Sequence, residues 1–186
     1  MARWDPGTEK RLVEAALALY SDQGYDNVTV TQIAERAGIT RRSYFRYFPD
    51  KREVLFAGSE RLPPAVHQAV LAADETASPL SATLSALTDV GTKLVQHVNH
   101  SAERRAVIDA SAELAERDRT KLAAVTTAIR DALLVRQVDP STAKLVAQLA
   151  TIVFENAFDD WIDARQRKQF ATCLHAAADS LRDTLT

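Results

Sequence analysis

Apolar residues recur every three to four positions along almost the whole chain, and alternating runs rich in β-branched residues are absent. That period marks one-sided helices, not strands. The first stripe is Leu12, Val13, Ala16, Leu17 and Tyr20, opened by Asp5-Pro6 and closed by Gly24. Thr29 and Gln32 then form a capping box: the threonine hydroxyl accepts from the third amide of the helix while the glutamine reaches back. This second helix runs to Ala37, and Gly38 follows where a left-handed residue favours a clean end. Thr40 caps a short third helix over 41–48, stopped by Pro49. Asp50 and Glu53 read as another capping box, for a fourth helix reaching about Leu62, where Pro63-Pro64 should break it.

Further on, Ser78-Pro79 opens a long helix striped by Leu80, Leu84, Leu87, Leu94 and Val98. Residues 101–137 read as two helices, the second lined by Leu122, Val125, Ile129 and Leu133. Asp139-Pro140 joins an N-cap to a first-turn proline and opens a helix over 140–165. The last helix, 167–185, carries Phe170, Leu174, Ala177, Leu181 and Leu185 close to a heptad seam. The pattern predicts an all-α fold of about nine helices, with a three-helix N-terminal domain, residues 1–52, and a helical C-terminal domain, 53–186.

Composition narrows the class without naming a function. The chain has 186 residues, 46% of them hydrophobic and 26% charged, an ordinary balance for a soluble globular protein. A single cysteine, Cys173, excludes an internal disulfide framework and suits a reducing cytosol. No secretory signal is evident, and the most apolar run, Leu145 to Phe158, is interrupted by Gln148 and Glu155. A cytoplasmic protein without a membrane partner is expected. The net charge of −2 hides an asymmetry, because residues 1–52 carry nine Lys/Arg against seven Asp/Glu while the remainder is acidic. A polyanion would meet the basic head.

Local placement sharpens that expectation. Residues 30–48 form helix, glycine turn, helix, the unit whose second helix can lie in a DNA major groove. Between Arg41 and Phe48 stand three arginines and four aromatics. If Tyr44 and Phe48, one turn apart, face the core, then Arg41, Arg42 and Arg46 face away, with Phe45 at one margin and Ser43 and Tyr47 at the other. Arginine can donate two parallel hydrogen bonds to guanine, and hydroxyls on Thr29, Thr40, Ser43 and Tyr47, with Lys51 beyond, can hold phosphates. Phe45 can touch a thymine methyl. Helical hairpins are common and arginine faces are usually just solvated. The alternative is therefore an all-α small-ligand-binding module without DNA function.

From Leu12 to Leu55 the sequence resembles the DNA-binding region of the TetR/AcrR family of bacterial transcriptional repressors. The residues that carry the resemblance are Ala15-Ala16, Gly24-Tyr25, Val28-Thr29-Val30, Ile33-Ala34, Ala37-Gly38-Ile39-Thr40, Ser43, Phe45, Tyr47-Phe48, Lys51 and Leu55. The Arg41–Phe48 variant is similar to an actinobacterial subgroup. The resemblance implies that Thr29 and Thr31 begin a helix contacting the DNA backbone, and that Thr40, Tyr47 and Lys51 hold phosphates. It implies that Arg41, Arg42, Ser43, Phe45 and Arg46 form the exposed recognition helix. Arg42 stands where many relatives have glycine, and Phe45 where many have tyrosine. It further implies a repressor of double-stranded operator DNA. A small hydrophobic or amphipathic ligand in the C-terminal core would release it by moving the fourth helix.

The C-terminal half offers weaker signals. The last two helices could pair with their copies in a homodimer, burying Phe154, Phe158, Trp161, Phe170, Leu174 and Leu181, or these residues could pack within one chain. His97, Asn99, His100, Asp109, Glu113, Glu155 and Asn156 are polar positions on otherwise apolar helices and are candidates to line a ligand pocket. His97 and His100 could share a metal, but no third ligand is evident, so no metal site is expected. No cofactor is expected, and no nucleophile–base pair, phosphate loop or paired carboxylates suggest catalysis.

Overall fold

Helix ends fall where the chain offers a cap or a residue that cannot continue. The computed structural model describes residues 6–96, 98, 100–165 and 167–184. All regular structure among them is helical: α1 (Pro6–Gln23), α2 (Val30–Arg36), α3 (Arg41–Tyr44), α4 (Leu62–Leu71), α5 (Pro79–Val95), α6 (Ser101–Asp109), α7 (Ala112–Val135), α8 (Pro140–Asp163) and α9 (Phe170–Thr184). Two short 3-10 turns, Glu53–Phe56 and Ser59–Arg61, precede α4. Ser78 and Asp139 cap α5 and α8 as expected, each accepting from amides of the first turn. Asp5, His97, Asn99 and Leu185 lie outside the described residues.

The largest departure from the sequence reading lies between residues 50 and 71. Pro63-Pro64 does not end a helix; it sits in the first turn of α4. Amides there have no intrahelical acceptor, so proline loses no hydrogen bond. The stretch expected as a fourth helix is instead the two 3-10 turns. The Asp50 carboxylate accepts from the amides of Arg52 and Glu53, but the Glu53 side chain pairs with Arg117. Val54, Leu55 and Phe56 of the first turn are all buried.

The chain forms two compact units, Met1–Gly58 with His100–Arg119, and Ser59–Asn99 with Thr120–Thr186. In the first, α1 packs on α2 and α6, and α2 on α3. Its core joins Leu12, Ala16 and Tyr20 of α1 to Ile33 and Ala34 of α2, Tyr44, Phe48, Val54 to Phe56, and Val107, Ile108 and Leu114. The last three explain why this unit reaches beyond residues 1–52. Val54, Leu55 and Phe56 share their core with α6 and the start of α7, far along the sequence.

The second unit is built on α4, α5, α8, α9 and the later part of α7. Arg136 fixes the end of α4, its guanidinium donating to Ala73 O at 2.6 Å and Asp74 O at 2.7 Å, where the helix presents its negative end. Phe154, Trp161, Phe170 and Leu174, expected at a dimer interface, are buried within this chain's own core. Phe158 and Leu181 are half-buried against the same cluster. Helices α8 and α9 pack on each other and on α5, so these side chains have intramolecular neighbours, and the reading of packing within one chain holds for them. Phe170 lies edge-on to Phe154, centroids 5.5 Å apart, and sits directly over buried Gly91 of α5, where an added Cβ would overlap its ring.

Gly91→Ala is expected to lower stability by about 1–3 kcal/mol, the range for overpacking a core. Phe170→Leu, destabilising alone, should cost less in the Gly91→Ala background. Urea midpoints of the four proteins check this; additive losses would place the clash elsewhere.

Candidate nucleic-acid interface

The turn between α2 and α3 fixes the site. Thr29 caps α2 with the expected box: its hydroxyl accepts from the Gln32 amide at 3.3 Å, and Gln32 Oε1 accepts from the Thr29 amide at 2.8 Å. At the other end Gly38 adopts φ +73. Its amide donates to Glu35 O, and the Ile39 amide reaches back to Ala34 O at 2.9 Å. This pair of bonds closes the helix and reverses the chain, and only glycine takes that backbone without strain. Thr40 follows at once as N-cap of α3, accepting from the Ser43 amide at 3.1 Å.

Regular helix in α3 covers only Arg41–Tyr44, shorter than the expected 41–48, and residues 45–47 continue as a turn. The amides of Tyr47 and Phe48 both bond to Tyr44 O, so the side chains keep a helical order. Tyr44 and Phe48 are buried, and the Tyr44 hydroxyl donates to Asp50 O at 3.0 Å. With that face fixed, Arg41, Arg42, Phe45 and Arg46 are exposed, and Ser43 and Tyr47 are half-buried at the edge. None of the three arginine side chains has a hydrogen-bonding or ion-pair partner among the described residues, and the Arg41 guanidinium lies over the Phe45 ring. Two other arginines of this unit are held, Arg52 by Asp50 and Glu113 and Arg117 by Glu53. Thr31 is exposed on the first turn of α2 and Thr29 beside it.

Lys51 has a different position from the one its sequence match suggests. Its ammonium donates to the carbonyls of Tyr25, Asp26 and Val28 at 2.9, 3.4 and 3.1 Å, and lies 4.1 Å from the Tyr25 ring centroid. A lysine has three N–H donors, so all are engaged in tying down the turn before α2. Tyr20 OH in turn donates to Lys51 O at 2.6 Å. Beside it, the Arg52 side chain, followed by the amides of Arg52 and Glu53, holds the Asp50 carboxyl below the usual carboxylate range. These contacts tie the segment after α3 to α1 and to the turn before α2. Sequence reading missed the ion pairs of Arg52 with Glu113 and Glu53 with Arg117, because no local signal announces partners so far apart.

The pocket candidates are divided between the two units. His100, Asp109 and Glu113 belong to the first unit. His100 precedes α6 with φ 54, Asp109 is exposed at the end of α6, and Glu113 faces Arg52 at 3.4 Å. The division of the chain, not local polarity, decided this, since α6 and the start of α7 fold back onto the N-terminal helices. Of the described candidates, Glu155 and Asn156 lie in the second unit; Asn156 is exposed and donates to Ile152 O of its own helix. His97 lies outside the described residues.

Residues 12–57 match the family model described as bacterial regulatory proteins, tetR family. Residues 12–57 are thus similar to the tetR-type DNA-binding region. Among curated TetR-type relatives, TcmR of Streptomyces glaucescens is 40% identical over 68 residues, 37% of this chain and 28% of its own length. BetI of Rhizobium meliloti (strain 1021) is 29% identical over 131 residues, covering 70% of this chain and 64% of its own length. The chain spans only about a quarter to a third of the first curated relatives it matches. They come from Streptomyces, Bacillus and Pseudomonas and so single out no subgroup. The whole fold is similar to NalD of Pseudomonas aeruginosa, titled the secondary repressor of the MexAB-OprM multidrug efflux pump, with TM-score 0.62 and 14% identity over 95% of this chain and 94% of that one. A SmeT–triclosan complex matches with TM-score 0.60 and 18% identity over 94% and 91% of the two chains. At such identity these likenesses show the fold alone.

Because Asp50 titrates below its ordinary value in the folded state, its contribution to stability is present above about pH 3.9. That contribution is lost as pH falls through the depressed folded value. Asp50→Asn is therefore expected to be less stable than wild type at pH 7, with the gap closing in acid. Urea midpoints from pH 7 to pH 3 check this; a constant gap would mean that ionisation of Asp50 does not matter.

Proposed function

We propose that the protein is a homodimeric, cytoplasmic transcriptional repressor that binds double-stranded operator DNA through α2 and α3. A small hydrophobic or amphipathic ligand in the second unit releases it. One observation carries the DNA-binding reading: Arg41, Arg42 and Arg46 stand exposed and without an acidic partner on the second helix of a helix-turn-helix. Three uncompensated cations in that place match an anion outside the molecule, and the major groove presents acceptors at the right spacing. Thr29, Thr31, Thr40, Ser43 and Tyr47 flank them as phosphate partners, whereas Lys51 acts through the turn it holds. The TetR-type relatives, named as transcriptional regulators, support the reading.

The ligand reading rests on the second unit's interior. Among its described residues the buried polar side chains are Thr83 and Thr151, whose hydroxyls donate to the Pro79 and Ala147 carbonyls of their own helices. No buried charge waits there for a counter-ion among the described residues, so an uncharged, largely apolar ligand fits best. The SmeT structure with triclosan, a likeness of fold, is in line with this. To move a dimer from almost wholly competent to almost wholly incompetent, the ligand must favour the released state by about 5.5 kcal/mol.

A dimer is proposed because one recognition helix reads too few bases for a useful operator. Since the aromatic residues of α8 and α9 are engaged within the chain, the surface falls to the other face of α8. There Leu145 and Ile152, 57% and 50% exposed, flank half-buried Leu149 at helical spacing.

Two outcomes are expected. Arg42→Ala and Arg46→Ala each weaken binding to a duplex from the gene's own upstream region by about tenfold, the lower-middle range for a lost arginine–guanine pair, with melting unchanged. Wild-type affinity should fall steeply with salt. Absence of salt-dependent duplex binding would favour the ligand-binding module without DNA function. Separately, Leu145→Glu with Ile152→Glu should give a folded monomer by sedimentation with weakened operator binding; an unchanged dimer would remove this face of α8 from the interface.

A further inference from the structure

We propose that Phe45 is a positioning residue: its exposed ring is a platform that holds the Arg41 guanidinium flat, rim outward, for one guanine in the operator. This rests on the DNA-binding reading above and adds to it a division of labour within α3.

Arg41 is the first residue of α3 and Phe45 stands four positions on, so the two share one helical face. The guanidinium carbon lies 5.4 Å from the ring centroid, inside the range of a cation–π contact. The ring itself is steadied from below. It meets Tyr44 edge to face, with centroids 5.6 Å apart and an interplanar angle of 83°. Tyr44 is fully buried and anchored through its hydroxyl to Asp50 O. A rigid post therefore runs from the Asp50 backbone through Tyr44 to Phe45 and ends at Arg41. Arg42 and Arg46 have no ring beneath them among the described residues.

Stacking uses the face of the guanidinium and leaves its N–H rim free. That rim is the part which bonds guanine O6 and N7 in parallel. An arginine side chain loses much rotamer freedom when it binds, and a platform that restricts it beforehand lowers that loss. Phenylalanine has no hydroxyl to offer a phosphate. Its ring is nonetheless 45% exposed, and the structure gives that exposure a use. A direct contact with a thymine methyl would need only an apolar surface, which leucine also supplies. The platform needs a π face, which tyrosine and tryptophan keep and leucine loses.

The experiment uses the full-length protein and a duplex from the region upstream of its own gene. Each base pair in the protected segment is replaced in turn, G·C by A·T and A·T by G·C. Affinities are measured for wild type, Arg41→Ala, Phe45→Leu, Phe45→Trp and the Arg41→Ala/Phe45→Leu double variant. Phe45→Leu is expected to weaken specific binding about twofold to fivefold, as for loss of an exposed cation–π contact. It should lose discrimination at the same G·C pair as Arg41→Ala. The double variant should bind no worse than Arg41→Ala, and Phe45→Trp should retain the discrimination. Melting temperature and binding to a scrambled duplex should be unchanged by Phe45→Leu. The proposal is overturned if Phe45→Leu keeps full discrimination, if the two losses add, or if specificity is lost at an A·T pair instead. If wild type shows no salt-dependent duplex binding at all, the DNA-binding reading falls and takes this one with it. Normal wild-type binding with a silent Phe45→Leu sinks the platform alone.

Discussion

Burial of Tyr44 and Phe48 decides which residues the molecule can show to a partner. Both rings enter the core of the first unit, one turn apart, and Tyr44 is held by a hydrogen bond to Asp50 O. Once they are inside, the order of side chains along 41–48 leaves the arginines no choice but to face out. The short length of the regular helix does not weaken this, because the amides of Tyr47 and Phe48 still return to Tyr44 O. Upstream, the same result depends on Gly38, whose left-handed backbone turns the chain so that Thr40 can begin α3. Downstream, Asp50, Lys51 and Arg52 form a brace, each bound to a different part of the unit. The recognition element is four regular residues supported on both sides by turns.

Much of this was legible in the sequence because its causes are local. The Thr29–Gln32 box, Gly38 at the end of α2, and the Ser78 and Asp139 caps each involve residues within a few positions, and all are present. The outward arginines followed from spacing alone once two aromatics were placed inside. Reading failed where the deciding partner is distant. Residues 53–56 form a 3-10 turn whose three buried residues are covered partly by Val107, Ile108 and Leu114. Nothing near residue 53 reveals that cover. Lys51 looked like a phosphate ligand because its position matched one, yet its ammonium binds carbonyls that lie 23 to 26 residues away. The polar candidates turn out to be divided between the two units, because chemistry without topology cannot say which unit a side chain serves.

The aromatic residues of α8 and α9 show a related limit. Hydrophobic spacing tells how many faces of a helix want cover but not what covers them. Here Phe154, Trp161, Phe170 and Leu174 are covered by the chain itself, and the second apolar face of α8 is carried by smaller aliphatic residues. Intramolecular cover took the largest rings, as expected when they contribute the most buried area per residue.

Gly91 and Phe170 also set an order on change. The ring fills the space a side chain at 91 would need, so no residue larger than glycine fits there while phenylalanine remains at 170. Shrinking residue 170 first opens a void but not a clash. A lineage of this protein therefore reaches a larger residue at 91 at least cost after a reduction at 170, and the two positions are historically bound although they stand 79 positions apart in the chain.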